Sequence, residues 1–252
     1  MSVARTRTIT TTIMTIATST DTSIRMSIEL LRLMQIADSA VPIGAASHSF
    51  GIETLTDEGS LTVERLSEFL DAYLAETGAL DASWCRAGWR LARTPLIEFT
   101  SEWTRLSDQI GARKPAREGR EASAMLGRRL LQLVDGLAPG HPAVGEAVRL
   151  TKQSAIPAHH AAAFGLAGAA LRCPEDLVAQ TYLQQNVMGL VSACQRLLPL
   201  GQTAAGCLLW DLKPALIRAA APSDEEEIAC FTPSIDLAGM RHPWLTTRLF
   251  IS

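Results

Sequence analysis

Histidine and cysteine are the side chains of this sequence best suited to acid–base, nucleophilic or metal chemistry, and there are five of each. His48 lies between Ser47 and Ser49, a composition that would suit a serine nucleophile activated by a histidine base. Adjacent side chains point apart, however, and the sequence assigns no acidic residue to orient the imidazole ring. A Ser/His hydrolase is therefore an alternative interpretation and not the leading one.

The remaining histidines and the cysteines do not have the spacing of a metal site. His159 and His160 are adjacent and fall on different faces of a helix, whereas two helical ligands of one ion are typically four residues apart. The cysteines are scattered and form no Cys-x-x-Cys pair, which argues against structural zinc and a disulfide framework. We expect no cofactor, no bound metal and a reducing, cytoplasmic setting. A helical metal-dependent hydrolase is the alternative.

Nucleotide, nucleic acid and membrane binding are not predicted either. The sequence has neither a Gly-x-x-x-x-Gly-Lys-Ser/Thr loop nor a Gly-x-Gly-x-x-Gly motif that would hold phosphate groups. Its formal net charge of -3 and hydrophobic content of 47% fit neither a generic nucleic-acid binder nor a disordered chain. No apolar run approaches the roughly 20 residues that span a bilayer. Without a complete catalytic group, we expect a soluble protein that acts by binding and not as an enzyme.

The elements that position these residues are predicted to be helices. Apolar residues recur with helical period throughout the chain after Ser27, and no segment shows sustained strand-like alternation. We predict an all-α, single-domain helical bundle over residues 27–222. Gly165 and Gly168 remove side chains from one helix face, which would let a neighbouring helix approach closely.

Both ends of the chain differ from this bundle. Residues 1–26 are rich in threonine and are predicted to form a disordered arm. Residues 223–252 are predicted to be an acidic linker followed by a C-terminal tail. The tail is expected to dock, because Leu249 and Phe250 would each gain about 1.5–3 kcal/mol by leaving water.

Two segments carry a family resemblance. The first is Ser47-His-Ser-Phe-Gly-Ile-Glu53, and the second is Pro199-Leu-Gly-Gln-Thr203, where a proline and a glycine interrupt a helical pattern. Together with the ending Arg248-Leu-Phe250, these segments resemble the UreF family of urease accessory proteins. The resemblance covers nearly the whole chain after residue 27.

The resemblance implies an all-α, dimeric adaptor that joins UreD (also called UreH) and the GTPase UreG for nickel insertion into apo-urease. Nickel would pass through the complex without binding tightly to this chain. It further implies that Arg248 holds the tail by hydrogen bonds while Leu249 and Phe250 fill an apolar groove. Ala46 stands where relatives often carry an aromatic residue. The residues expected to bind partners or to switch are His48, Ser49, Phe50, Gly51, Glu53, Pro199, Gly201, Gln202, Thr203, Arg241, His242, Arg248, Leu249 and Phe250. A plain structural homo-oligomer is a third interpretation.

Overall fold

The computed structural model describes residues 27–222 and 230–252. Within these ranges the regular elements are helices and no strand occurs, so the predicted all-α fold is confirmed. The arm predicted over residues 1–26 and the acidic run at 223–229 lie outside the described residues. The division into arm, bundle and tail stays a prediction.

The helices are numbered here in chain order. The first, α1, covers residues 27–37. Before α2 the chain forms a 3-10 turn, Ala45–Ser47. A π-helical segment, Leu74–Gly78, joins α3 to α4. A second 3-10 turn, His242–Trp244, follows α12. The others are α2 Ile52–Asp57, α3 Leu66–Tyr73, α4 Ala79–Leu91, α5 Leu96–Ala112, α6 Arg117–Leu137, α7 Pro142–Gln153, α8 His160–Ala170, α9 Glu175–Leu197, α10 Gln202–Asp211, α11 Lys213–Ala219 and α12 Pro233–Arg241.

Helix α8 lies at the centre of the bundle. It packs most extensively against α4, and α6, α9 and α7 also contact it. Every residue of α8 from His160 to Gly168 is buried, as expected for a helix whose residues are apolar or small all round. None of the described helices is long and apolar enough to cross a membrane.

Glycines permit the close packing around α8. A Cβ atom at Gly165 would lie 1.8 Å from the carbonyl oxygen of Cys85 in α4, and one at Gly88 would lie 2.1 Å from that of Ala162. Three residues further along α8, a Cβ at Gly168 would lie 2.5 Å from the side chain of Val178 in α9. The prediction that Gly165 and Gly168 allow close helix approach is therefore confirmed, with α4 and α9 as the neighbours.

The backbone has a distinctive form at both motif segments. Helix α2 begins at Ile52, because Phe50 and Gly51 just before it adopt left-handed backbone angles with φ of 50° and 92°. Gly201 could take backbone angles that other residues avoid. It has φ of -70° and ψ of 158°, which any residue adopts, so the break between α9 and α10 depends on Pro199 instead.

Candidate docking site of the C-terminal tail

The site forms where the N-terminus of α2 meets the last residues of the chain, 242–252, here called the closing segment. The left-handed turn at Phe50 and Gly51 leads into α2 and leaves the amides of Ser49 and Phe50 outside the hydrogen bonds of the helix. A Cβ atom at Gly51 would lie 3.0 Å from the carbonyl oxygen of Ile235, so glycine also lets α12 approach this turn. The 48–53 segment thus offers free backbone groups to the closing segment.

Main-chain hydrogen bonds join the two segments. The amide of Ile251 donates to the carbonyl oxygen of Ser47 over 2.8 Å. In return the main-chain oxygen of Ser252 accepts hydrogen bonds from the amide of Ser49, the amide of Phe50 at 3.2 Å and the hydroxyl of Ser49 at 3.0 Å. The closing segment is therefore fixed in register against residues 47–50.

Glu53 binds the closing segment from the first turn of α2. Its buried carboxylate accepts the amide of Leu249 at Oε1 and the amide of Phe250 at Oε2, 3.1 Å away. Nε2 of His242 lies 2.8 Å from the same Oε2 atom. Burial alone would raise the pKa of Glu53, but the hydrogen bonds from Leu249, His242 and Phe250 outweigh it and lower the pKa. Glu53 is therefore ionised when the segment is docked.

A second carboxylate, from Glu118 in α6, completes the polar contacts. Its Oε2 atom lies 2.7 Å from Nδ1 of His242, and its Oε1 accepts Nη2 of Arg248 at 3.0 Å. Arg248 also donates to the carbonyl oxygen of Ile251. Nothing in the sequence marks Glu118 for this role, since it lies among basic residues with which a surface carboxylate pairs in solvent. Its neighbour Glu121 pairs in this way with Arg117.

Apolar packing at the closing segment is one-sided. Phe250 is only 5% exposed, and the guanidinium carbon of Arg196 lies 4.3 Å from the centre of its ring. Leu249 is 52% exposed, so the expectation that both residues fill a groove is wrong for Leu249. Exposure alternates along the end of the segment, since Ser252 is buried like Phe250. Trp244 and Ile251 are also exposed, at 79% and 63%.

The predicted site residues do not all meet. His48, Glu53, His242, Arg248 and Phe250 come together, whereas the exposed Gln202 and Thr203 begin α10 beyond the break at Pro199. The closest link between the two motifs is Arg196, near the end of α9, which donates to the carbonyl oxygen of Ala46 over 3.2 Å. Arg196 was missed by sequence analysis, since nothing in its local pattern marks a contact with Ala46.

Arg241 makes a separate, solvent-exposed pair with Glu58. Its Nε and Nη2 atoms donate to the two carboxylate oxygens over 2.8 Å each. Because exposed pairs are weakened by solvent, we expect Arg241→Ala to change the free energy of unfolding by less than about 1 kcal/mol. Urea denaturation would measure the difference, and a loss of several kcal/mol would contradict this assignment.

The surroundings of His48 do not match a Ser/His hydrolase. Its Nδ1 atom hydrogen-bonds with Oγ of Ser252 over 2.7 Å, and within the described residues Nε2 has no hydrogen-bond partner. Burial and the charge of Arg129 lower its pKa, so the ring is neutral near pH 7. The described contacts give the ring no carboxylate of the kind that orients a catalytic histidine.

His159 and His160 are packed inside the bundle. His160 lies against the rings of Phe164 and Tyr182, and burial with the nearby charge of Lys114 lowers the pKa of both histidines to about 4. Across residues 27–222 and 230–252, no group of three or more histidine, cysteine or acidic side chains is arranged to hold a metal ion. The alternative of a metal site at the histidine pair gains no support.

A cavity of about 800 Å³ lies behind the docked closing segment. Phe250 and Ser252 form part of its wall, together with His48 and Gly51. Deeper in the cavity, Asp81 pairs with Lys114 over 3.2 Å and accepts a hydrogen bond from the hydroxyl of Tyr182 at 3.3 Å. The closing segment therefore forms part of the wall of a cavity that Asp81, Lys114 and Tyr182 also line.

Comparisons with known proteins match this chain to one family. A UreF family model matches residues 61–213. The urease accessory protein UreF of Nostoc sp. is 31% identical over 92% of this chain and 100% of its own length. The proteins of the same name from Geobacillus kaustophilus and Corynebacterium glutamicum are 32% and 31% identical, over 89% and 87% of this chain and 98% and 96% of their own lengths. The chain therefore belongs to the UreF family of urease accessory proteins.

Proposed function

We propose that this protein is a non-catalytic adaptor of urease maturation that joins UreD (also called UreH) and the GTPase UreG for nickel insertion into apo-urease. Membership of the UreF family supports the connection with urease. The observation that carries the adaptor role is the closing segment, which is anchored inward and exposes apolar side chains outward. This activity would take place in the cytoplasm.

The outward face of the closing segment is the proposed surface for UreD. Trp244, Leu249 and Ile251 are exposed there, while the main chain between them is held by Glu53 and Ser47. Large exposed apolar side chains on an ordered backbone are typical of protein interfaces, because they bury area without much ordering cost. A partner would therefore bind the docked segment better than a released one.

The face formed by α9 and α10 is the proposed surface for a second copy of this chain and for UreG. Gln202 and Thr203 lie exposed at the start of α10, and Trp210 is exposed at its end. Met188 is exposed on the neighbouring helix α9. Methionine and tryptophan are enriched in interfaces, which supports this face as the binding surface of a homodimer that recruits UreG.

Nickel is proposed to pass through the assembled complex as cargo, without tight binding to this chain. The cavity behind the closing segment supports this proposal, since its lining mixes apolar and polar side chains, and no cluster of metal ligands is found among the described residues. A lining of this kind would exchange nickel readily.

The proposal is tested by size-exclusion chromatography with light scattering on mixtures with UreD. The full-length protein is expected to co-elute with UreD, and a chain lacking Arg248 to Ser252 is expected to elute alone. Ile251→Asp removes one outward apolar side chain and should weaken co-elution, whereas Ile97→Asp, at an exposed position on α5, should not.

Each outcome has a distinct meaning. Co-elution of the truncated chain and of Ile251→Asp would overturn the closing segment as the UreD surface. Failure of the folded full-length protein to bind either UreD or UreG would overturn the adaptor role. A homodimer without either partner would favour the structural homo-oligomer.

A further inference from the structure

His242 occupies an unusual position, buried between two carboxylates. Its side chain is only 1% exposed, with Nε2 2.8 Å from Glu53 and Nδ1 2.7 Å from Glu118. A neutral imidazole carries one N–H group and can donate to one of these carboxylates at most. At the other nitrogen a lone pair would then face a carboxylate oxygen at hydrogen-bond distance. The imidazolium form alone donates to both.

The charges of the surrounding groups also favour the imidazolium form of His242. Glu53 and Glu118 contribute two negative charges, and Arg248, whose Nη2 lies 3.0 Å from Oε1 of Glu118, contributes one positive charge. A protonated His242 balances this cluster, whereas a neutral ring leaves one negative charge unpaired. Arg248 also approaches Nδ1 of His242 at 3.2 Å and would donate to it in the neutral form. That bond would not relieve the contact between Nδ1 and Glu118, and unpaired buried charge is costly.

The other charged groups nearby have partners of their own. Arg241, on the same element, pairs with Glu58. His48 hydrogen-bonds with Ser252, and burial with the charge of Arg129 lowers its pKa. The groups facing the ring of His242 are therefore Glu53 from α2, Glu118 from α6 and Arg248 from the closing segment itself.

We propose that His242 takes up a proton when the closing segment docks, so that docking weakens as pH rises and this residue loses the proton. The docked state then binds more protons than the released state, and linkage requires docking to weaken with rising pH. Docking also weakens in acid, because Glu53, whose pKa is lowered, becomes protonated as pH falls through that lowered value. Docking is therefore strongest between these two titrations.

Through this proton, pH would regulate the surface proposed for UreD, and in that respect the inference rests on the proposed function. Its test uses this chain alone, so a failure to bind UreD would not affect the result. The full-length protein is labelled with ¹⁵N at histidine, and the state of each ring is read from its nitrogen resonances. His242 is expected to show two protonated nitrogens while the closing segment is docked.

Amide hydrogen exchange at Leu249, Phe250 and Ile251 reports docking, since these amides bond to Glu53 and to Ser47. Rates are corrected for the intrinsic pH dependence of exchange and compared over about pH 5 to 8. We expect protection to fall by up to about tenfold per pH unit between the pH at which a released ring loses its proton and the pH at which the docked ring does, and to level off above the latter. The loss should follow the ring titration seen in the same samples.

The Glu118→Gln variant distinguishes proton uptake by His242 from a pH-dependent release of the closing segment that has another cause. A glutamine amide donates to Nδ1 of a neutral ring, and the remaining charges of Glu53 and Arg248 balance without the extra proton. The three amides should therefore stay protected, and their protection should no longer fall as pH rises. Glu121→Gln, one turn further along α6 and exposed, should keep the dependence of the unmodified protein.

Several results would overturn the proposal. One is a neutral His242 ring in the docked state, which can be seen without any variant. Another is protection that does not change across the titration of His242. A third is a Glu118→Gln protein that is folded and docked but still loses amide protection as pH rises, as the unmodified protein does.

Discussion

Replacing Gly165 with alanine is expected to lower the free energy of unfolding by about 3 kcal/mol or more. The new methyl carbon would lie 1.8 Å from the carbonyl oxygen of Cys85, and the next nearest atoms are also main chain. A side chain could rotate away, but a helical backbone cannot, so α4 and α8 would have to separate. That separation would loosen packing along the most extensive helix pair of the bundle.

The sign of the effect makes this prediction specific. Alanine normally stabilises a helix interior by about 1 kcal/mol relative to glycine. Gly145 lies inside α7, and a Cβ atom there would meet nothing within 4 Å, so Gly145→Ala should be neutral or stabilising. Urea denaturation of both variants measures the contrast. A Gly165→Ala protein as stable as Gly145→Ala would mean that the two helices cross at a greater distance.

The Glu53→Gln substitution is expected to release the closing segment while leaving the bundle folded. Each hydrogen bond to a charged group is worth about 1.5–3 kcal/mol, and Glu53 accepts three of them in a buried position. The amide nitrogen of glutamine is similar in size to the carboxylate oxygen that it replaces, but it cannot accept a hydrogen bond. At least one of the three donors to Glu53 is therefore left unpaired. The burial of Phe250 contributes about 1.5–3 kcal/mol and does not offset this loss.

Hydrogen exchange and binding together measure this release. Protection of the Leu249 and Phe250 amides should fall at least tenfold, with the amides of α8 unchanged, and co-elution with UreD should be lost. Glu58→Gln is the matched control, because Glu58 belongs to the exposed pair with Arg241. A Glu53→Gln protein with full protection would show that the main-chain bonds to Ser47, Ser49 and Phe50 hold the segment without the carboxylate.

The predictions that succeeded from sequence depend on local chemistry. Helical periodicity after Ser27 predicted the all-α fold, because the position of an apolar side chain on a helix follows from its spacing along the chain. Gly165 and Gly168 predicted close packing, since the absence of a side chain is itself the local cause. The left-handed φ of 68° at Gly59, shortly after the end of α2, is likewise a local property of glycine.

The predictions that failed concerned which way a side chain faces and which backbone angles a residue adopts. Leu249 and Phe250 were expected to fill a groove together, but only Phe250 is buried, and which of the two faces inward depends on the main-chain register against residues 47–50. The backbone freedom expected at Gly201 was not used, because Pro199 alone interrupts the helical hydrogen bonds there. Neither outcome is encoded in residue type.

By itself, therefore, the sequence determined the helical fold, the close approach of α8 to its neighbours and the segments that mark the family. Only the tertiary structure decided that Glu53, Glu118, His242 and Arg248 form one buried cluster. Glu53 and His242 are 189 positions apart, and Glu118 and His242 are 124 apart. Local patterns record which face of a helix is apolar, but they carry no information on which distant carboxylate a buried histidine will meet. That choice is made by the packing of α2, α6 and the closing segment together.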